Sequence, residues 1–134
     1  MNVFLSYAMD DRDLAESLRT QLSKAGFEVW DPIVGLLPGD NVGTQIETAL
    51  EKSEAMVVVV SPESQKSPFV NSEIQFALGS PRYKNRLIPV VTRGSIQAPW
   101  TDYVKVIEAT GRSAYQVGRM VVDALNKSAV QPTH

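Results

Sequence analysis

The sequence predicts a doubly wound α/β fold, a parallel sheet with helices packed on both faces. Three observations carry that expectation. Short apolar runs alternate with segments of helical period along the whole chain. The most apolar run, Met56 to Val60, is continuous rather than alternating, as a strand covered on both faces requires. The length, 134 residues, suits a single domain with one compact core.

Each element follows from local signals. Asn2 to Tyr7 opens with Val3-Phe4-Leu5 and gives way to Asp10-Asp11-Arg12, a strand followed by a turn. From Asp11 to Ala25, Leu14, Leu18, Leu22 and Ala25 keep helical spacing, with acidic residues in the first turn and Gly26 past the end. Phe27 to Trp30 reads as a second strand. Asp31 to Asp40 holds two prolines and two glycines, enough to break any regular element. Val42, Ile46, Ala49 and Leu50 mark the next helix, and the Met56 to Val60 strand follows. Val70, Ile74, Ala77 and Leu78 share a face of a helix that Gly79-Ser80-Pro81 ends. Leu87 to Val91 and the shorter Val104 to Ile107 complete five strands. Val117, Val121, Ala124 and Leu125 place a last helix at Ser113 to Lys127, leaving 128–134 as a polar tail or linker after a domain of residues 1–127. Right-handed crossovers between five parallel strands suit the flavodoxin-like order 2-1-3-4-5. Ligands then sit beyond the carboxyl ends of the strands, near the switch point between the first and third. That selects Ser6 to Asp11, Asp31 to Asp40 and Ser61 to Glu73.

Composition removes several function classes. Hydrophobic residues at 43% and charged residues at 21% are ordinary for a globular chain. A net charge of -2 gives no general attraction to polyphosphate, and the most basic stretch, Arg82 to Arg86, holds only three cations, so no nucleic-acid partner is expected. Cysteine is absent, which removes disulfides, thiolate metal sites and cysteine nucleophiles and fits a reducing cytoplasm. The only histidine is His134, in the tail, where nothing fixes the geometry of a base or a metal ligand. The longest apolar run, Ala55 to Val60, is far too short to span a bilayer, and no basic n-region precedes the first strand, so no membrane partner is expected.

The strand ends narrow the chemistry further. A phosphoacceptor receiver domain shares this topology and its acidic residues after the first strand, as at Asp10 and Asp11. It needs an aspartate where the third strand ends, and this chain has Ser61-Pro62 after Val60. Neither a P-loop nor a dinucleotide GxGxxG follows the first strand. Kinase, NTPase and dehydrogenase readings therefore fall.

The remaining motifs, Val3-Phe4-Leu5-Ser6-Tyr7 with Asp10-Asp11, Gly26 to Asp31 with Leu37-Pro38-Gly39-Asp40, and Ser61 with Ser67 to Glu73, together resemble the TIR domain family over most of the chain. Val3-Phe4-Leu5-Ser6-Tyr7 with Asp10-Asp11 is similar to its first motif. Gly26-Phe27-Glu28-Val29-Trp30-Asp31, then Leu37-Pro38-Gly39-Asp40, then Ile46 and Ala49-Leu50, resembles its second strand, BB loop and following helix. Ser61, then Ser67-Pro68-Phe69-Val70-Asn71-Ser72-Glu73, resembles the SxxxxxSxWCxxE pattern of enzymatic members, with both serines and the glutamate in register. Phe69 stands where that pattern has tryptophan and Val70 where it has cysteine. Adaptor members of animal signalling generally lack the glutamate in this context. The resemblance thus implies an NAD⁺ glycohydrolase or cyclase of bacterial type, an effector in anti-phage defence, with Glu73 as its catalytic carboxylate and NAD⁺ as substrate rather than cofactor. No metal is expected.

Physical reasoning stands beside that resemblance. Cleaving the nicotinamide–ribose bond builds an oxocarbenium-like state that a fixed carboxylate stabilises, and the cationic nicotinamide leaves without a general acid. One carboxylate therefore suffices. The competing reading of Glu73 is a solvated residue near a helix N-terminus, where the macrodipole favours an anion. Ser6 and Tyr7 are candidates to bind ribose or phosphate, with a plain strand end as the alternative. Asp31 is either a ligand to a ribose hydroxyl or the residue that starts the turn before Pro32. Ser67 is a substrate-binding candidate whose simpler role is to cap the helix carrying Glu73. Phe69 offers a ring face for base stacking, and Leu36 lines the pocket in the family's manner. Trp30 and Trp100 read as packing residues. Ile33, Val34, Leu36 and Leu37 place four large aliphatics in one glycine-bearing loop, either an interface for self-association, which the family resemblance couples to activity, or a loop folded back on the domain. A fused or separate sensor domain fits the same picture. Two other functions stay open: a non-catalytic TIR interaction module and a nucleoside deoxyribosyltransferase-like enzyme.

Overall fold

A computed structural model describes residues 1–32, 42–92 and 99–129 of the chain. Five strands, β1 (Asn2–Ser6), β2 (Glu28–Trp30), β3 (Ala55–Val60), β4 (Leu87–Val91) and β5 (Ile107–Glu108), form one sheet in the order β2-β1-β3-β4-β5. Every neighbouring pair is parallel. The helices are α1 (Arg12–Lys24), α2 (Val42–Lys52), α3 (Pro62–Gln65), α4 (Pro68–Leu78) and α5 (Ala114–Ala129). This is the expected flavodoxin-like arrangement.

The sheet separates two cores because successive side chains on a strand point to opposite faces. Val3, Leu5, Val57, Val59, Ile88 and Val90 pack with Leu18 and Leu22 of α1 and Val117, Val121 and Leu125 of α5. Phe4, Met56, Val58, Val60, Leu87 and Val91 pack with Ala49 and Leu50 of α2 and Val70, Ile74 and Ala77 of α4. All six residues of β3 are buried, which explains why its sequence shows no polar alternation. Trp30 stacks on Phe4 with ring centroids 5.3 Å apart, and Trp100 packs against the same core, so both tryptophans are packing residues.

Three details differ from the sequence reading. The last strand is Ile107–Glu108 rather than Val104 to Ile107. A 3-10 turn over Pro99–Tyr103 uses up chain first, and contact with β4 begins only where Ile107 pairs with Val90. Leu78 is exposed, because the buried stripe of α4 is Val70, Glu73, Ile74 and Ala77, the i, i+3, i+4, i+7 set. Ala25 is the exposed C-cap of α1 and takes no part in its buried face, and Gly26 adopts φ 95°, the left-handed turn that ends the helix. A further single turn, α3, was not expected. Ser61 builds it with a reciprocal cap: its Oγ accepts the Ser64 N–H at 3.0 Å, and Ser64 Oγ accepts the Ser61 N–H at 2.8 Å. Among the described residues, no helix is long and apolar enough to cross a membrane.

Candidate active site

Three strand ends and one helix converge at the carboxyl edge of the sheet. Strand β1 lies between β2 and β3, and its alternation sends its last residue and the next one in opposite directions. Ser6, sharing the side of Phe4, meets α4. Its hydroxyl donates to Glu73 Oε1 at 2.7 Å. Tyr7, packed in the core on the α1 and α5 side, donates its hydroxyl to both oxygens of Asp31 at 2.8 Å. Asp31 directly follows β2. Ser61 directly follows β3 and donates its hydroxyl to Asp11 Oδ2 at the start of α1.

The helix that presents Glu73 is fixed at its start. Ser67 Oγ accepts the Val70 N–H at 3.3 Å and Pro68 occupies the first turn, so Ser67 serves as the N-cap. Asn71 ties the helix back to α3 through a 3.0 Å bond to the Gln65 carbonyl. Glu73 falls inside the buried stripe, 3% exposed, between Val70 and Ala77. It is not a residue of a solvated helix face.

Burial determines the electrostatics of these groups. Loss of water pushes the Glu73 carboxyl up from 4.5 to about 7; the Ser6 hydroxyl opposes that rise and the charge of Asp31 adds to it. Burial and the bonded Asp31 also raise Tyr7, so its phenol keeps the proton it donates. Asp11 is raised by burial, with the Ser61 hydroxyl opposing. Two carboxyls, Glu73 and Asp31, each 3% exposed, thus share one strand edge with two hydroxyl donors.

Of the residues singled out from sequence, Ser6, Tyr7, Asp31 and Glu73 come together. Ser67 caps the helix at its near end. Phe69 stands one turn before Glu73 on α4, with its ring 65% exposed. Leu36 and the aliphatics Ile33, Val34 and Leu37 lie outside the described residues, as does the Leu37-Pro38-Gly39-Asp40 motif. Sequence reasoning missed Arg19, whose Nε lies 4.0 Å from Asp31 Oδ2. The signal was present: Ala15, Leu18 and Leu22 are the buried positions of α1, and Arg19 completes their i, i+3, i+4, i+7 stripe. It also missed the bond between Ser61 and Asp11. A separate groove of about 940 Å³, lined by Tyr83, Lys84, Leu87, Lys105 and Lys127 among others, includes none of these candidate residues. Among the described residues, no group of three or more His, Asp or Glu side chains could hold a metal ion.

Comparisons with known proteins agree with this architecture. The TIR domain family matches residues 3–120. The chain is 34% identical over 102 residues to the NAD(+) hydrolase ApTIR of Actinoplanes sp., covering 69% of this chain and 14% of that protein. It is 33% identical over 92 residues to the NAD(+) hydrolase PdTIR of Paracoccus denitrificans, covering 66% of this chain and 30% of that one. The chain therefore spans less than a third of either relative. In fold it is similar to the TIR domain of the Toll-related receptor TRR-2 from Hydra magnipapillata, with a TM-score of 0.75 and 21% identity over 97% of this chain and 98% of that one.

Proposed function

This chain belongs to the TIR domain family, and from that premise we propose that it is an NAD⁺ nucleosidase, cleaving the bond between nicotinamide and ribose with Glu73 as its catalytic carboxylate. One observation carries the reading: Glu73 is buried at the carboxyl edge of the sheet, inside an otherwise apolar helix stripe and bonded to Ser6. Burying a carboxyl costs stability, and packing gains nothing from it. A charge that develops on a substrate beside it does gain. The two curated relatives bearing the name NAD(+) hydrolase support the choice of substrate.

The reaction needs little from the protein. The N-glycosidic bond breaks, its electron pair passes to the nicotinamide nitrogen, and positive charge develops over ribose C1′ and O4′. Ionised Glu73 stabilises that charge in a site shielded from water. Water, or a nitrogen of the adenine, then attacks C1′ and loses a proton, giving ADP-ribose or a cyclic isomer. Ser6 orients Glu73. Asp31 accepts from a ribose hydroxyl, and Tyr7, whose proton is committed to Asp31, holds that carboxylate in place.

Nicotinamide release after incubating the domain with NAD⁺ at high protein concentration tests the proposal. Release is expected, with kcat/KM falling about tenfold per pH unit below about 7 and levelling above it, because only ionised Glu73 stabilises the cation. A domain that folds and releases no nicotinamide at any concentration would instead be an interaction module. The proton that Glu73 carries near neutrality also favours a second reading, a deoxyribosyltransferase-like enzyme in which a neutral base leaves with that proton. Base release from deoxynucleosides separates the two.

Phe69 supplies the stacking surface. Phe69→Ala is expected to raise KM for NAD⁺ about fivefold, since an aromatic contact contributes roughly 1 kcal/mol beyond its area, while Phe69→Trp keeps it. Equal kinetics for the wild type and Phe69→Ala would place the ring outside the site.

Assembly belongs to the same proposal. Ile33, Val34, Leu36 and Leu37 form the self-association surface that switches the activity on, in a bacterial anti-phage effector acting in the cytoplasm and joined to, or paired with, a sensor. Leu36→Asp is expected to raise the protein concentration needed for half-maximal activity about tenfold or more, as the loss of roughly 1.4 kcal/mol at a contact would. Sedimentation that is unchanged in a folded Leu36→Asp variant contradicts this role.

A further inference from the structure

We propose that Asp11 and Ser61 are positioning residues for the reaction at Glu73: the bond between them pins the start of α1 to α3, and α3 in turn sets the first turn of the helix that carries Glu73. The inference rests on the reading of Glu73 as the reacting group. It starts from an aspartate turned away from its own helix. Asp11 occupies the N-cap position of α1, where an aspartate side chain ordinarily accepts a backbone N–H of the first turn. It makes no such bond. Its Oδ2 accepts instead from the hydroxyl of Ser61, 50 residues further along the chain, at 2.5 Å. No cation draws it there: the charges that bear on Asp11 are those of Glu63 and Asp10, both negative. The hydroxyl bond holds the carboxyl against that repulsion.

Ser61 is 1% exposed, and its hydroxyl has one proton and two lone pairs to place. The proton goes to Asp11, which leaves a lone pair facing the Ser64 N–H at 3.0 Å, the bond that starts α3. From α3 the contacts run into α4 without a gap. The Ser67 N–H donates to the Ser64 carbonyl at 3.1 Å, the Asn71 side chain donates to the Gln65 carbonyl at 3.0 Å, and the Ser67 hydroxyl accepts the Val70 N–H at 3.3 Å. Glu73 lies on the next turn, where the Ser6 hydroxyl meets its carboxyl at 2.7 Å. Ser6 ends β1, and the 3-10 turn Met9–Asp11 follows closely. Two bonds therefore fasten the segment 61–73 to the same stretch of chain, Ser61 through Asp11 and Glu73 through Ser6. With the first bond gone, the Ser61 hydroxyl is free to rotate, the cap on α3 weakens, and the start of α4 loses its anchor. Ser6 alone then holds the carboxyl. A displacement of about 1 Å at a reacting group can cost about a hundredfold in rate.

The test separates kcat from binding and adds a readout that needs no turnover. Asp11→Ala and Ser61→Ala are each expected to lower kcat about tenfold and to leave the NAD⁺ dissociation constant within about twofold, because both act through α4. Asp11→Asn keeps an acceptor for the Ser61 hydroxyl and should hold kcat within about threefold of wild type. Adding Asp11→Ala to Ser61→Ala should lower kcat no further, since the bond is already gone. Hydrogen exchange at the Ser64 and Val70 amides should speed up about tenfold or more in Asp11→Ala and stay near the wild-type rate in Asp11→Asn. A residue that only supports the fold would lower Tm, leaving kcat well below Tm and the Val70 amide unchanged. Wild-type kcat in Asp11→Ala, losses that multiply in the double variant, or an Asp11→Asn protein as impaired as Asp11→Ala overturns the proposal. Should Asp11→Ala fail to fold, Ser61→Ala decides, and wild-type kcat there overturns it as well. A wild type that releases no nicotinamide would refute the nucleosidase reading. The exchange rates then decide the link from α1 to α4, and an unchanged Val70 amide in Asp11→Ala overturns that link on its own.

Discussion

Glu73→Gln is expected to make the folded domain more stable at pH 8, by about 3 kcal/mol. The raised carboxyl is the cause. A group held at about 7 in the folded chain and near 4.5 in the unfolded one binds its proton more tightly when folded. Its contribution to stability is fully present below about 4.5 and is lost as pH rises through about 7. Above that, the ionised carboxylate sits buried with one hydroxyl donor, and the accumulated cost follows from about 1.4 kcal/mol for each pH unit between the two values. Glutamine keeps the size and the acceptor for Ser6 without a charge to bury. In a domain of this length the difference is roughly 10 °C in Tm at pH 8, shrinking to nothing near pH 4.5. Melting curves across that range check it. Parallel curves for the two proteins would mean that Glu73 titrates as an exposed carboxylate does.

The same substitution is expected to lower turnover by two orders of magnitude or more. Stability given up at one buried charge is a recurrent feature of sites where that charge does chemistry. A carboxylate beside the developing ribose cation acts in a medium that screens poorly, so its removal costs far more there than at a surface. Binding of NAD⁺ should change little, because the ribose acquires its charge only on the way to the transition state. A gain in stability with a loss of turnover in one variant is a pattern that a merely structural glutamate does not produce.

Much of this was legible in the residues themselves. The order of the sheet followed from five apolar runs and the rule that parallel crossovers are right-handed. The helix stripes gave α1, α4 and α5 to within two residues at either end. What escaped lay where local pattern carries no long-range information. A two-residue edge strand has too few positions to show a period, so β5 was placed early. The single turn α3 is defined by a reciprocal bond between Ser61 and Ser64 rather than by apolar spacing. Glu73 sits inside a buried stripe, where a charge is out of place, and Arg19 lies in register with the buried positions of α1 while staying partly exposed. Glu73 was found through its motif. Arg19 had no motif, and its partner Asp31 is twelve residues away across a turn of chain that spacing does not resolve.

The most direct measurement of the central claim sets wild type and Glu73→Gln side by side. Nicotinamide release and NAD⁺ binding are followed in the same samples, at pH 8, at a protein concentration where sedimentation shows both equally assembled. The account predicts similar binding and a release rate at least about a hundredfold lower in the variant. A Glu73→Gln protein that releases nicotinamide at the wild-type rate would contradict it.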